Sequence, residues 1–416
     1  MKNMPKSLLL SLLAGALLTE AKADNWLTVD AFQLVPGLSA IAADIGTAAD
    51  GTTLYSVGSS TTNSGYLAGV IRKSTDSGAT WSTVDVYQEP GWPQATYRGF
   101  GSGTNGTLFV CGEVGDGVPD TGTKIWTVRQ SVDGGATWAL VDAFYQGPTG
   151  KPSCGDVKMN PYTGDVFAVG VGNTGSSAGF LWAVRKRAAN AAAFDTVDMV
   201  GAPPQNTARA VGFHRTAGVF VVGQIGDSEG RYRWTVRRSA DRGVTWTTVD
   251  SFIDSAKTSS HALGIAVDAT SGAIYVSGQA GQVVKGKMVT NWVVRRSRDG
   301  GATWTTVDRF GAEPTPTYYG LGVGRAAGIT LAPSGNVFVT GNSSAPQRLL
   351  VRKGTTAPNG AMSWVMSDDF QLVPGQASSG LGIASDALGN IFVSGQGQID
   401  STGLGYFLTT KLAGPQ

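Results

Sequence analysis

With only two Cys and two His in 416 residues, the chain has too few ligands for a zinc cluster of His and Cys, and too few thiols for a disulfide-dense scaffold. Charge is also scarce, at 15% of residues with a formal net of +2, while 41% are hydrophobic. That balance excludes an intrinsically disordered chain. The apolar run at the N-terminus, Leu8 to Leu18 with Ser11 its one polar member, falls well short of the roughly 20 residues that span a bilayer. What the chain does have in quantity is Gly, 59 residues, together with 17 Pro, a composition that favours short strands and turns over long helices.

Lys2 and Lys6 precede that apolar run, and Ala21-Lys22-Ala23 follows it. This is the charged, apolar and small-residue order of a secretory signal peptide. The expected product of cleavage after Ala23 is a single domain over residues 24–416, placed outside the cell or in a periplasm. Removing the leader takes away Lys2, Lys6, Lys22 and Glu20, which brings the formal charge from +2 to zero. A neutral protein has no field to draw nucleic acid or anionic lipid. Export would permit Cys111 and Cys154 to pair, and the sequence leaves open whether they do or stay as buried thiols.

A signature W-x-x-V-D, closed in most copies by an aromatic, begins at Trp26, Trp81, Trp138, Phe194, Trp246, Trp304 and Trp364. An apolar run ending in Gly recurs with the same period at Gly58, Gly112, Gly170, Gly223, Gly278, Gly341 and Gly395. A third marker, W-x-V-R, lies between them at Trp126, Trp182, Trp234 and Trp292. Each repeat thus holds four strand-like segments, in the fifth repeat His261 to Asp268, Ala273 to Gly278, Asn291 to Ser297 and Thr303 to Phe310. The pattern predicts an all-β fold, a seven-bladed β-propeller with four antiparallel strands per blade. The last repeat stops after its third strand and the chain begins with a lone fourth strand at Trp26, so the N-terminal strand should close the last blade. A two-sheet sandwich would give no reason for equal repeats.

Between third and fourth strands stand Ser74-Thr-Asp76-Ser-Gly78-Ala-Thr80-Trp81 and its counterparts through Asp133 and Trp138, Asp241 and Trp246, and Asp299 and Trp304. This S-x-D-x-G-x-T-W pattern resembles the Asp-box, or bacterial neuraminidase repeat, of sialidase-like propellers. The third copy has decayed around Arg187 to Phe194 and the sixth is displaced around Thr355 to Trp364. The residue types suit a structural turn: a carboxylate to accept amide hydrogen bonds, a Gly for positive φ, and a Trp to fill space. One carboxylate per turn is too few for calcium, and no metal or cofactor is expected. The resemblance implies that these turns lie on the face opposite the substrate.

Function should lie where the repeats differ, on the face where first strands begin and second strands end. Approximate alignment of the first-strand entries gives a ring of Gly37, Arg98, Ser153, Arg209, His261, Arg325 and Ser379. Its three Arg and one His suit an anion, because a guanidinium offers a planar fork of donors and keeps its charge; the resemblance implies a sialate-type carboxylate. The alternative is a water-filled channel whose Arg pair with an Asp such as Asp156. Trp92, outside the repeat frame, could stack on a sugar or pack its own loop, and Tyr318, Tyr319 and Glu313 share one long loop. The Arg-Ile-Pro segment of sialidases is absent, their enzymes usually have six blades, and no nucleophile pair follows from a motif. The expected function is therefore a monomeric, non-catalytic module binding a glycan or an extracellular protein. A sialidase-like exo-glycoside hydrolase is the alternative.

Overall fold

The structure is a computed structural model that describes residues 26–118, 122–173, 175, 179–201, 205–284, 287–311, 328–343 and 347–414. The expected leader, residues 1–23, lies outside the described residues. The described chain forms seven antiparallel sheets of four strands and no helix, the seven-bladed propeller that the repeats predict. The first, innermost strands of blades 1 to 7 are Ala40–Thr47, Gln94–Ser102, Ser153–Met159, Thr207–His214, Ser260–Val267, Ile329–Leu331 and Ser378–Ser385.

Blade 7 is closed by the start of the chain. Trp26–Phe32 pairs antiparallel with Gly405–Leu412, with Trp26 opposite Leu412. Trp26 is 1% exposed in the core between blades 6 and 7, and its indole donates to Ser367 Oγ at 3.3 Å. The closing strand is thus fastened by burial as well as by the ladder.

The recurring Arg and Asp of the repeat join blades to each other. Arg72 of blade 1 bonds Asp30 of the closing strand, Arg185 of blade 3 bonds Asp142 of blade 2, and Arg295 of blade 5 bonds Asp250 of blade 4. The register of the sequence markers alone allowed an exposed pair within one blade. In the structure the pairs are buried at the junctions, and where the W-x-x-V-D signature closes with an aromatic opposite such an Arg, that ring carries the guanidinium, as Phe32 does for Arg72 at 4.2 Å. The seventh junction differs, with Thr410 opposite Val393 where Arg72 lies opposite Ser56 in blade 1.

The S-x-D-x-G-x-T-W turns are self-contained. Asp76 accepts from the Thr80 amide at 2.8 Å and the Thr80 hydroxyl at 2.6 Å, and Ser74 Oγ accepts from the Gly78 amide. Asp133, Asp241 and Asp299 repeat the arrangement. The turn Gly has φ near +83° at Gly78 and lies on an aromatic ring of the preceding blade, where a Cβ would come within 2.5 Å of Phe392. A cation on the preceding blade then seals the turn: Lys411 donates to Ser77 O, Lys73 to Gly134 O and Lys186 to Arg242 O.

One boundary moves. Gln279 to Thr290 reads as a loop in the sequence, but the second and third strands of blade 5 run on as Ile274–Val284 and Lys287–Ser297, a hairpin paired out to Val284 and Lys287. β-Branched residues, Val283 and Val289 among them, favour the ladder.

Candidate functional site at the channel mouth

Six innermost strands carry a β-bulge at one place, seen as a register shift between Ala42 and Asp44, Tyr97 and Gly99, Cys154 and Asp156, Ala208 and Ala210, Ala262 and Gly264, and Gly380 and Gly382. The recurring Gly of the second strand permits it. A Cβ on Gly223 would fall 2.0 Å from Thr207 O, and one on Gly112 would fall 1.9 Å from Thr96 O. Only Gly lets the bulged backbone approach so closely. The bulge turns one side chain per blade toward a central channel of about 550 Å³.

The bulge residues are Ala43, Arg98, Gly155, Arg209, Leu263 and Leu381, all of which line the channel. This corrects the ring expected from sequence. Arg98 and Arg209 are equivalent, but Ser153, His261 and Ser379 stand two residues earlier in their strands, and Gly37 belongs to a turn before the first strand of blade 1. Arg325 lies outside the described residues, as do Tyr318, Tyr319 and Glu313. The misalignment arises because loops of unequal length precede each first strand, while the landmark that fixes the register is a backbone event.

Arg98 is engaged by Glu113, with Nε donating to Oε2 at 2.6 Å and Nη2 donating to Oε1. Ser153 Oγ donates to Glu113 Oε2 at 2.8 Å from the next blade, and Lys124 Nζ lies 3.4 Å from Oε1. Burial pushes the Glu113 carboxyl up, but Arg98, Lys124 and Ser153 outweigh it and hold the group at about 2. Arg98 therefore pairs, as the channel-lining alternative required, though with Glu113. Asp156 instead faces Lys158 at 3.3 Å and accepts from the Val211 amide.

Arg209 is different. Its Nε is buried without a hydrogen-bond partner, and among the described residues it forms no salt bridge. Burial, and then the charge of Arg98, lower its guanidinium to about 10. His261 is 8% exposed, donates from Nδ1 to Gln224 Oε1 at 2.8 Å and lies against the Tyr232 ring at 5.3 Å. Burial, and then Arg209, lower its imidazole to about 4, so it is neutral at physiological pH and meets Arg209 without adding charge.

Trp92 turns back on its own loop, paired with Glu89 and packed against the cluster of Tyr87, Tyr97 and Phe100. Packing is its observed role. Glu229 is exposed and faces Arg231, while Asp116 accepts amides of its own loop. Asp76, Asp133, Asp241 and Asp299, with Trp81, Trp138, Trp246 and Trp304, are on the opposite face, after the third strands.

Two features of the mouth go beyond the expected ring, although Glu113 is one of the carboxylates, with Asp116 and Glu229, that the sequence places after second strands. Gln224 and Glu113 occupy the position directly after the recurring Gly, and each reaches into the neighbouring blade or its own bulge. That position reads Ser59, Glu113, Val171, Gln224, Gln279, Asn342 and Gln396 around the ring, and this variability beside an invariant Gly was the available signal. The second is Asp44, farther along the channel. Burial first, and then the charge of Asp156, raise its carboxyl to about 7 although it accepts the Phe100 and Ile45 amides. Among the described residues no group of three or more His, Cys, Asp or Glu is placed to hold a metal ion, and no helix is long and apolar enough to cross a membrane.

No family model and no curated protein matches the sequence. Solved structures do match in fold. A protein of unknown function from Dyadobacter fermentans superposes with a TM-score of 0.50 at 13% identity, covering 93% of this chain and 98% of the other. The GH93 α-L-arabinofuranosidase of Fusarium graminearum, solved with arabinobiose, gives 0.51 at 12% identity over 92% and 96%. The sialidase of Trypanosoma rangeli gives 0.44 at 10% identity, over 91% of this chain and 54% of that one. At these identities the likeness is one of fold alone.

Proposed function

We propose that this protein is a secreted, monomeric binding module that takes an acidic group of a glycan, or of an extracellular protein, at the channel mouth, without catalysis. The observation that carries the reading is Arg209, a guanidinium whose buried Nε has no hydrogen-bond partner and which forms no salt bridge among the described residues. An unpaired charge in such a place costs stability, and an incoming carboxylate would offset that cost. Gly155 lies between Arg98 and Arg209 on the bulge row and leaves space beside both. Glu113 is held at about 2, so it carries no proton to donate at neutral pH, and it is already tied to Arg98. The Cys111–Cys154 disulfide suits an exported protein, as does the leader.

Calorimetric titration with sialyl-, glucuronyl- and neutral oligosaccharides tests this. Acidic ligands alone should bind, and Arg209→Glu should abolish binding, whereas Arg295→Lys, at a distant blade junction, should preserve it. Undiminished binding by Arg209→Glu overturns the assignment.

A hydrolase acting on an acidic glycan is the second reading, and Asp44 favours it. At about 7 this carboxyl keeps a proton near neutrality, as a general acid must, and Asp156 lines the same channel. Release of free sugar, lost in Asp44→Asn, would establish the enzyme. No release between about pH 4 and about pH 8 would remove it.

A further inference from the structure

We infer that the Cys111–Cys154 disulfide positions Arg98 for ligand at the channel mouth. The inference rests on the reading of that mouth as a binding site.

The disulfide joins the second strand of blade 2 to the first strand of blade 3. Each half is adjacent to the site. Cys111 lies opposite Gly99, the residue after Arg98, and two residues before Glu113, on the same side of its strand. Cys154 stands between Ser153 and Gly155. The covalent link therefore runs directly behind Arg98 and Glu113 on one blade, and behind the Ser153 hydroxyl that fixes Glu113 on the other.

The backbones of the two blades also approach closely at this seam. A Cβ on Gly99 would fall 2.7 Å from Asp156 Cα, and one on Gly101 would fall 2.2 Å from Val157 O. Hydrophobic packing also crosses the seam, with Phe109, Trp126 and Val128 in one cluster with Val157 and Val166, but such packing is non-directional and does not by itself fix a polar side chain at the mouth. The 2.8 Å bond from Ser153 to Glu113 crosses the same seam, and a hydrogen bond weakens over a few tenths of an ångström. Lys124, the other donor to Glu113, has a side chain 41% exposed and so holds it loosely. With both cysteines at most 1% exposed, the disulfide is the rigid member of this group. The Arg185–Asp142 pair that joins the same two blades lies at their outer strands, away from the channel.

The test is the Cys111→Ala/Cys154→Ala protein, with Cys111→Val/Cys154→Ala as a second variant that restores volume should the first fail to fold. Two readings are taken on each at a temperature where it is folded: affinity for 3′-sialyllactose, and the Nε–H resonances of Arg98 and Arg295 in arginine-labelled protein. The expected result is a loss of about tenfold in affinity, with the Arg98 resonance broadened or exchanging faster and that of Arg295 unchanged. A simple loss of stability would disturb both arginines alike or neither. An unchanged Arg98 resonance overturns the inference, whatever the affinity. If the wild-type protein binds no acidic sugar, the proposed function fails on that result, and the positioning of Arg98 is decided by its resonance alone.

Discussion

Arg72 and Asp30 form a bidentate pair, Nε to Oδ2 at 2.7 Å and Nη2 to Oδ1 at 2.6 Å, across the junction where the two ends of the ring meet. Both residues are under a tenth exposed. Asp30 belongs to the strand that closes blade 7 and Arg72 to blade 1, so one contact secures the closing strand from the side its own sheet does not reach.

Breaking that pair from one side leaves a buried charge. Arg72→Ala should lower unfolding free energy by about 3 kcal/mol, measured by urea denaturation. Replacing both partners, as Arg72→Met with Asp30→Leu, should restore most of the loss. A double variant as unstable as the single would show that the ion pair itself, rather than the orphaned Asp30, carries the effect.

Gly223→Ala and Gly395→Ala place the same methyl against a carbonyl, 2.0 Å from Thr207 O and 1.9 Å from Ser379 O. Each should cost on the order of 2 kcal/mol through overpacking. Only Gly223→Ala disturbs the bulge that aims Arg209, so it alone should weaken binding of acidic oligosaccharides. Calorimetry on the two variants at matched fractions folded compares them.

Arg209→Met removes a charge with no partner among the described residues while keeping most of the side-chain volume. We expect a thermal midpoint above that of the wild type, by about 1 kcal/mol of stability, together with loss of the acidic ligand. A lower midpoint would mean that Arg209 has a stabilising partner.

The pH dependence can be signed. Asp44 is raised to about 7 from an ordinary value of 3.8, so the folded state holds its proton more tightly. Its contribution to stability is fully present below about 4 and is lost as pH rises through about 7. His261, lowered to about 4, acts oppositely, losing stability as pH falls from about 6.5. The difference between wild type and Asp44→Asn isolates the first effect: thermal midpoints from pH 8 down to about pH 4.5 should rise for wild type relative to the variant. Parallel curves would remove Asp44 as a group that titrates near neutrality.

The ring of blades was legible because every repeat spends the same residues on the same contacts. Even an exception follows a rule. Blade 1 has Gly69 opposite Ser59, where blade 4 has Trp234 opposite Gln224, and Tyr97 of blade 2 fills the space, its ring 2.9 Å from where a Gly69 Cβ would be. The mouth was legible in kind but not in register. Arg98, Arg209 and His261 are polar residues at first-strand entries in a frame of apolar ones, which marks them, yet the bulge that separates Arg209 from His261 by two positions leaves no residue type of its own. It is recorded across the sheet, in Gly223 and Gly278. The raised Asp44 carboxyl was invisible for a related reason, since its causes are burial in the channel wall and then the approach of Asp156 from a blade two removed along the chain.

The cation that seals a turn from the preceding blade, as Lys411, Lys73 and Lys186 do, bears on how such a chain can diverge. The third-strand position holding Lys73, Lys186 and Lys411 is Arg238, Arg296 and Lys353 in three other blades, and is uncharged only in blade 2, as Gln130. Blade 3, which follows, is the one whose turn motif has decayed, and there Arg187 reaches back to Gln130 Oε1 at 2.7 Å. Donor and docked turn have changed together. The heritable unit of this ring is thus the joint between consecutive repeats, and a copy transplanted to another position would carry only half of the contacts that hold it.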